Sequence, residues 1–243
     1  MKKKIISENK NDKIQKIIFL FVLLSLVFSV IYVIVCLILA PSEQNQVSGG
    51  VRVKSDYVLM LLQCSIGIIA MFFPSFLNKR FHLKIPSAML IMYIVFLYAA
   101  IYLGEVRSFY YAVPHWDTVL HTFSGAMLGA LGFSVVYILN DNRSVPIKLS
   151  PSFVCIFAFC FAMTIGVLWE IYEFTFDGLL GLNMQKFMLE NKEPLIGREA
   201  LVDTMKDLIV DGLGAMLMCL IGYFSIVNKK GWMNDFTLEK EKN

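Results

Sequence analysis

The stretch Trp169-Glu170-Ile171-Tyr172-Glu173-Phe174-Thr175-Phe176-Asp177 decides how this chain is read. It continues, without a turn signal, an apolar run that starts at Phe153. Its acids therefore arrive on a helix whose composition belongs in lipid. A carboxylate at the centre of a spanning helix costs about 2.5–3.5 kcal/mol on insertion scales and less near the interface, so acids there are placed rather than scattered. At about 100° per residue, Glu170, Glu173 and Asp177 fall within roughly 60° of arc and form one acidic stripe.

Composition agrees with that environment. Of 243 residues 57% are apolar and 17% charged, where a soluble domain carries about a quarter charged. The chain is expected to be an all-α, polytopic integral membrane protein. A net charge of +3, with the positive residues gathered at segment ends, excludes nucleic acid as a partner and leaves membrane lipid. All five cysteines lie inside apolar runs, where they pack as small polarisable side chains and suggest neither a disulfide framework nor a zinc motif.

Six transmembrane helices are expected, at about 17–40, 57–77, 86–104, 117–139, 153–180 and 206–227. They form a single domain over 17–227, between a basic tail (1–16) and a C-terminal tail (228–243). The first run is too long for a signal-peptide core of about 7–15 residues and reads as an uncleaved span. Leu182 to Leu189, between the last two spans, is expected to form a short interfacial helix. With the N-terminus inside, fifteen Lys and Arg fall on the cytoplasmic side and seven on the other. The positive-inside bias then puts both termini in the cytoplasm.

That topology brings acids from three helices to one depth near the outer face. Helix four starts at Asp117, with His121 one turn deeper and Ser124 on the same face. Helix six carries Asp203, Asp207 and Asp211 at four-residue spacing. Gly125 and Gly129 on helix four, Gly166 on helix five, and Gly212, Gly214 and Ala215 on helix six allow close approach. So many acids cannot ionise together without a cation, because each charge raises its neighbours' pKa and desolvation adds to it. A divalent ion (Mg²⁺, Mn²⁺ or Ca²⁺) suits a donor set dominated by oxygen; Lys206 or protons are other ways to balance the charge. The expected ligands are Glu170, Glu173, Asp207 and Asp211. His121 is the expected general base, oriented by Asp117, and Asp177, Asp203, Lys206 and Ser124 complete the pocket.

His115-Trp-Asp-x-x-x-His121, Trp169-Glu-x-x-Glu173 and Asp203-Thr-Met-Lys-Asp207-x-x-x-Asp211-Gly-x-Gly-Ala together resemble the YjdF-like proteins of the bacterial inner membrane, a family without an established activity. The resemblance covers roughly residues 85–227. It implies a helical fold of about six spans in the bacterial cytoplasmic membrane and supplies no reaction. A looser similarity to VanZ-like proteins lacks enough of their pattern to be adopted.

Three functions compete. One is a divalent-metal-dependent hydrolase or transferase acting on a lipid or headgroup substrate at the outer leaflet. The second is a non-catalytic membrane accessory or scaffold protein, in which the acids form an interhelical polar network. The third, a cation or proton transporter, needs acids through the whole depth of the membrane, and the inner halves of the expected spans have none.

Overall fold

The computed structural model describes residues 10–41, 52–140, 149–189, 193–228 and 238–240. Expectations for most of the N-terminal tail, the loop after the first span, the segment 141–148 and most of the C-terminal tail lie outside these residues, as do many of the Lys and Arg that set the orientation.

The described residues are mostly helical. In order come α1 (Lys10–Leu39), α2 (Lys54–Phe81), strand β1 (Leu83–Lys84), α3 (Ser87–Leu97), a π-helix (Tyr98–Val106), α4 (Phe109–Ala112), α5 (Trp116–Asn140), α6 (Pro151–Leu180), a 3₁₀ turn (Glu199–Leu201), α7 (Val202–Val227) and β2 (Glu239–Lys240). Among the described residues, six helical segments are long and apolar enough to cross a membrane: Asp12–Leu39, Lys54–Phe81, Ser87–Val106, Trp116–Leu139, Pro151–Leu180 and Glu199–Val227.

Local sequence explains several boundaries. Ser150 caps α6 by accepting from the Phe153 amide at 3.2 Å, and Pro151 occupies the first turn, where a missing N–H costs nothing. Gly181 ends α6 in the left-handed region at φ 65°, the usual role of a C-terminal glycine. Asp56 accepts from the Val53 amide at 2.8 Å and closes the first turn of α2.

The helices form two groups. In the first, α1, α2, α3 and the π-helix enclose Val22, Leu26, Cys64, Met71, Ile94, Leu97 and Ile101. In the second, α5, α6 and α7 pack on one another around Ala130, Phe133, Val136, Val154, Ala158 and Cys219. Glycines set the approach within the second group: a Cβ at Gly125 would overlap the Asp211 backbone, and one at Gly214 would overlap the Thr122 carbonyl. Helices α5 and α7 thus touch backbone to backbone, as small-residue interfaces in membranes permit.

Polarity is inverted relative to a soluble protein. Large apolar side chains such as Ile69, Phe174 and Leu179 stand outward, while Glu170, Glu173, Asp177, Asp207 and Asp211 are buried. Lipid solvates the first set, and the bundle interior must satisfy the second.

Two readings of local structure are corrected. The segment from Leu182 to Leu189 is not a helix: it is an irregular loop, and Met188 near its end bridges to Pro194. Asn183 holds its turn by donating to the Met188 carbonyl and accepting from the Met188 amide, at 2.8 and 2.9 Å, which competes with helical hydrogen bonding. The third span also runs past residue 104. Its last part is the π-helix, so Glu105 stands on a helical wall rather than in a loop.

Candidate functional site

Helix α5 supplies Asp117 in its first turn and His121 one turn later; α7 supplies Asp207 and Asp211. The imidazole lies among all three acids. Its Nδ1 is 3.3 Å from Asp211 Oδ2, and its Nε2 is 3.7 Å from Asp117 Oδ1 and 3.8 Å from Asp207 Oδ2. Nδ1 is thus within hydrogen-bonding distance of Asp211, while Nε2 faces Asp117 and Asp207. This is how an outer carboxylate orients a metal-binding imidazole.

Asp211 is itself held in place. Its Oδ1 lies 2.8 Å from the Ser124 hydroxyl, which is also 2.8 Å from the His121 carbonyl. Gly166 on α6 faces the other oxygen, and a Cβ there would stand 2.9 Å from Asp211 Oδ2. Gly166 signals only close packing in the sequence, and here it and the expected pocket residue Ser124 together position a carboxylate.

The loop after α6 closes over the acids with three consecutive residues. The amides of Met184 and Gln185 donate to the two oxygens of Asp177, at 2.8 and 3.0 Å. The Gln185 side chain donates to Thr204 Oγ1 at 2.9 Å and lies 3.4 Å from Glu170 Oε2, joining α6 to α7. The Lys186 ammonium pairs with Asp117, approaches Asp203 at 3.8 Å and stands 5.0 Å from the centre of the Tyr110 ring. Burial works to lower the pKa of Lys186, but Asp117 and Asp203 outweigh it and hold the ammonium above its ordinary 10.5. Beneath it, burial pushes the Tyr110 phenol well up, and the charges of Asp117, Glu105, Glu173 and Asp207 push the same way.

The expected residues therefore divide into three kinds. Asp117, His121 and Asp207 offer ligand atoms that all lie within 4.8 Å of one another. Glu170, Glu173 and Asp211 border that group: Glu173 Oε1 accepts from Trp169 Nε1 at 2.9 Å, and Asp211 orients the imidazole. Asp177 anchors the loop. Asp203 belongs to the Lys186 pair, whereas Lys206 forms no ion pair with another described residue. Two oxygens, Glu170 Oε1 and Asp207 Oδ1, are buried without a hydrogen-bond partner among the described residues. A buried carboxylate oxygen left bare is costly and marks a place for a cation or a proton.

Sequence reasoning missed Lys186, Gln185, Tyr110 and Glu105. Lys186 stood out only as a loop charge nine residues beyond Asp177. The glycine stop at Gly181, which turns the chain back onto α6, was the cue for its return.

Beside the site lies a cavity of about 360 Å³ between the two helix groups. One end carries Asp117, His121, Glu173, Lys186 and Asp211; the walls leading away include Ile66, Gly67, Ala70 and Leu97. Leu59 of α2 packs with Leu182 and Met184 of the loop and closes one side. The arrangement brings an acidic and imidazole group to the head of an apolar slot within the bundle.

Comparison with known proteins gives kinship without chemistry. An "Uncharacterized protein" of Thermotoga maritima is 30% identical over 164 residues, covering 66% of this chain and 75% of that relative. No solved structure matches the chain. The family model described as "Predicted membrane protein (DUF2238)" matches residues 20–228, nearly all of the helical bundle. The chain belongs to that membrane-protein family.

Proposed function

We propose that this protein is a divalent-metal-dependent hydrolase or transferase of the bacterial cytoplasmic membrane, acting on a lipid or headgroup substrate, with both termini in the cytoplasm. The resemblance to YjdF-like proteins and membership of the DUF2238 membrane-protein family support the location. One observation carries the proposal: the Asp117, His121 and Asp207 donors lie within 4.8 Å of one another, and two of them, Asp117 and His121, line a largely apolar cavity within the bundle.

The donor set fits a divalent ion. Two carboxylates and one imidazole suit Mg²⁺ or Mn²⁺, and the bare Asp207 Oδ1 gives that carboxylate a reason to be there. Asp117, His121 and Asp207 would hold the ion, in place of the set Glu170, Glu173, Asp207 and Asp211 suggested by spacing alone. The ion would supply polarisation of a phosphoryl or carbonyl oxygen and a lowered pKa for water. Asp211 fixes the imidazole, and Glu173, which also lines the cavity, is placed to take a proton from a nucleophile. The loop carrying Lys186 covers the acids and limits the entry of water.

A second reading has one observation in its favour. Lys186 already balances Asp117 and Asp203, as a non-catalytic accessory protein with an internal polar network would require. Purified protein decides between them. The metal-dependent enzyme binds about one Mn²⁺ per chain, releases headgroup from reconstituted lipid only with metal present, and loses both properties in Asp207→Asn. Wild-type protein that holds no metal and is not stabilised by Mg²⁺ or Mn²⁺ leaves the accessory reading standing.

A further inference from the structure

The cavity is lined by more carboxyl groups than basic ones. Glu105, Asp117, Glu173 and Asp211 line it, against Lys186 and the imidazole of His121. Lys186 is committed to Asp117 and Asp203, and Asp211 is taken by His121 and Ser124. Two carboxylates remain. The Glu105 side chain forms no hydrogen bond or ion pair with another described residue, and only Oε1 of the Glu173 carboxyl is engaged, by Trp169. Arg52, the cation near Glu105, spends its guanidinium on the Val106 carbonyl and the Ser108 hydroxyl.

Glu105 is carried on the wall by an irregularity in the helix. The Arg107 amide donates to the Tyr102 carbonyl, five residues back, at 2.9 Å, as a π-helix requires. Such widened turns cluster at functional sites because they re-aim a side chain at the cost of poorer backbone geometry. Tyr110 is fitted against the same wall: a Cβ at Gly104 would come within 2.5 Å of its ring.

The remaining lining is aromatic and apolar, with Tyr93, Phe96, Trp169 and Tyr172 among the walls. Carboxylates set among aromatic faces bind ammonium groups through charge and the ring quadrupole together. The protein itself already holds one ammonium this way, since Lys186 Nζ stands over the Tyr110 ring beside Asp117. An ammonium head supplies the donor that Glu105 and Glu173 lack, which neither an anionic nor an uncharged head of the same size does.

We propose that the occupant of this cavity is an amphiphile with an ammonium head, the head held by Glu105 and Glu173 beside Trp169 and Tyr172, and an apolar chain lying along Ile66, Ala70 and Leu97. This names the substrate class of the enzyme proposed above and rests on the cavity being its substrate site. At about 360 Å³ the space accepts a head and part of one chain, at the lower end of the roughly 300–1,000 Å³ of small-molecule sites. The ammonium belongs either to the amine headgroup of a phospholipid or to a free alkylamine.

The test uses the full chain in nanodiscs of phosphatidylglycerol and follows Trp fluorescence and thermal stability. The probes are decylammonium, decyl phosphate, decanol and a short-chain phosphatidylethanolamine. Decylammonium is expected to bind roughly tenfold more tightly than the phosphate or the alcohol, and Glu105→Gln and Glu173→Gln each reduce that preference several-fold. Phosphatidylethanolamine binding as tightly as decylammonium assigns the ammonium to a lipid headgroup; decylammonium alone binding assigns it to a free amine. Equal binding of all heads, or a preference unchanged in both variants, overturns the proposal. If the variants do not fold, the head comparison on wild type still decides. Titrations repeated with chelator, with metal content measured on the same samples, separate this outcome from the metal: preference without metal sinks the enzyme reading alone, and metal without preference sinks this one alone.

Discussion

The ammonium of Lys186 pairs with the carboxylate of Asp117 across 69 positions of chain, and so fastens the loop after α6 to the first turn of α5. The same ammonium lies 3.8 Å from Asp203 at the start of α7. One side chain ties three elements at the mouth of the candidate site. Because Asp117 is also a candidate metal ligand, the ammonium and a bound divalent ion would compete for it.

Replacing Lys186 with Met leaves Asp117 and Asp203 facing each other without their cation. A partly buried pair of this kind is worth about 2 kcal/mol, between the values for exposed and fully buried pairs. Lys186→Met is therefore expected to melt lower without metal and to gain more stability than wild type from added Mn²⁺. A thermal-shift titration of both proteins checks the crossover; a parallel response of the two would contradict the competition.

The pH dependence of this tie has a definite sign. Burial opposes the Lys186 charge, yet Asp117 and Asp203 raise its pKa above 10.5 in the folded protein. A raised cationic pKa contributes stability that is complete below the unfolded value and is lost as pH rises through the folded one. The melting difference between wild type and Lys186→Met should therefore stay level from about pH 6 to 9 and shrink only in strongly alkaline solution. A difference that collapses near neutrality would mean the ammonium is not held as described.

Asp177 and Asp211 are both buried acids, but their environments assign them different work. Asp177 accepts two backbone amides of the loop, so Asp177→Ala should cost about 1–3 kcal/mol in stability. Since it lies outside the three-donor group, metal affinity per folded molecule should change little. Asp211→Asn keeps the hydrogen bond from Ser124 but weakens the hold on the imidazole. Outer-shell changes of this kind cost about 10–100-fold in metal affinity, measured by competition with a fluorescent chelator.

Close packing gives a further contrast. Gly125→Val forces α5 away from the Asp211 backbone and should disrupt the bundle. Gly166→Ala only presses a methyl toward Asp211 Oδ2, at 2.9 Å, so it should leave the helical fold intact while lowering metal affinity. Circular dichroism separates the first effect from the second.

The helices were legible because lipid imposes a simple rule: long apolar runs with their backbone bonds satisfied internally. The acids were legible for the same reason, as costly exceptions on those runs, and four-residue spacing placed Asp207 and Asp211 on one face of α7. Partnership was harder to read. Periodicity shows that Glu170 and Glu173 share a face with Asp177, but not that Asp177 turns to the loop amides while Trp169 takes Glu173. The loop contributes most of what was missed, because Gln185 and Lys186 act through contacts that no helical period encodes. Glu105 escaped notice because a π-helix carries the third span past the glycine that reads as its end.

The central claim is that His121, with Asp117 and Asp207, binds a divalent ion. Pulsed electron paramagnetic resonance on protein loaded with Mn²⁺ tests it most directly, because an imidazole ligand imprints nitrogen modulation on the manganese signal. The expected result is that modulation in wild type, its loss in His121→Ala with weaker residual binding, and loss of bound Mn²⁺ in Asp207→Asn. Bound Mn²⁺ with no nitrogen modulation, or a signal identical in all three proteins, would contradict the account.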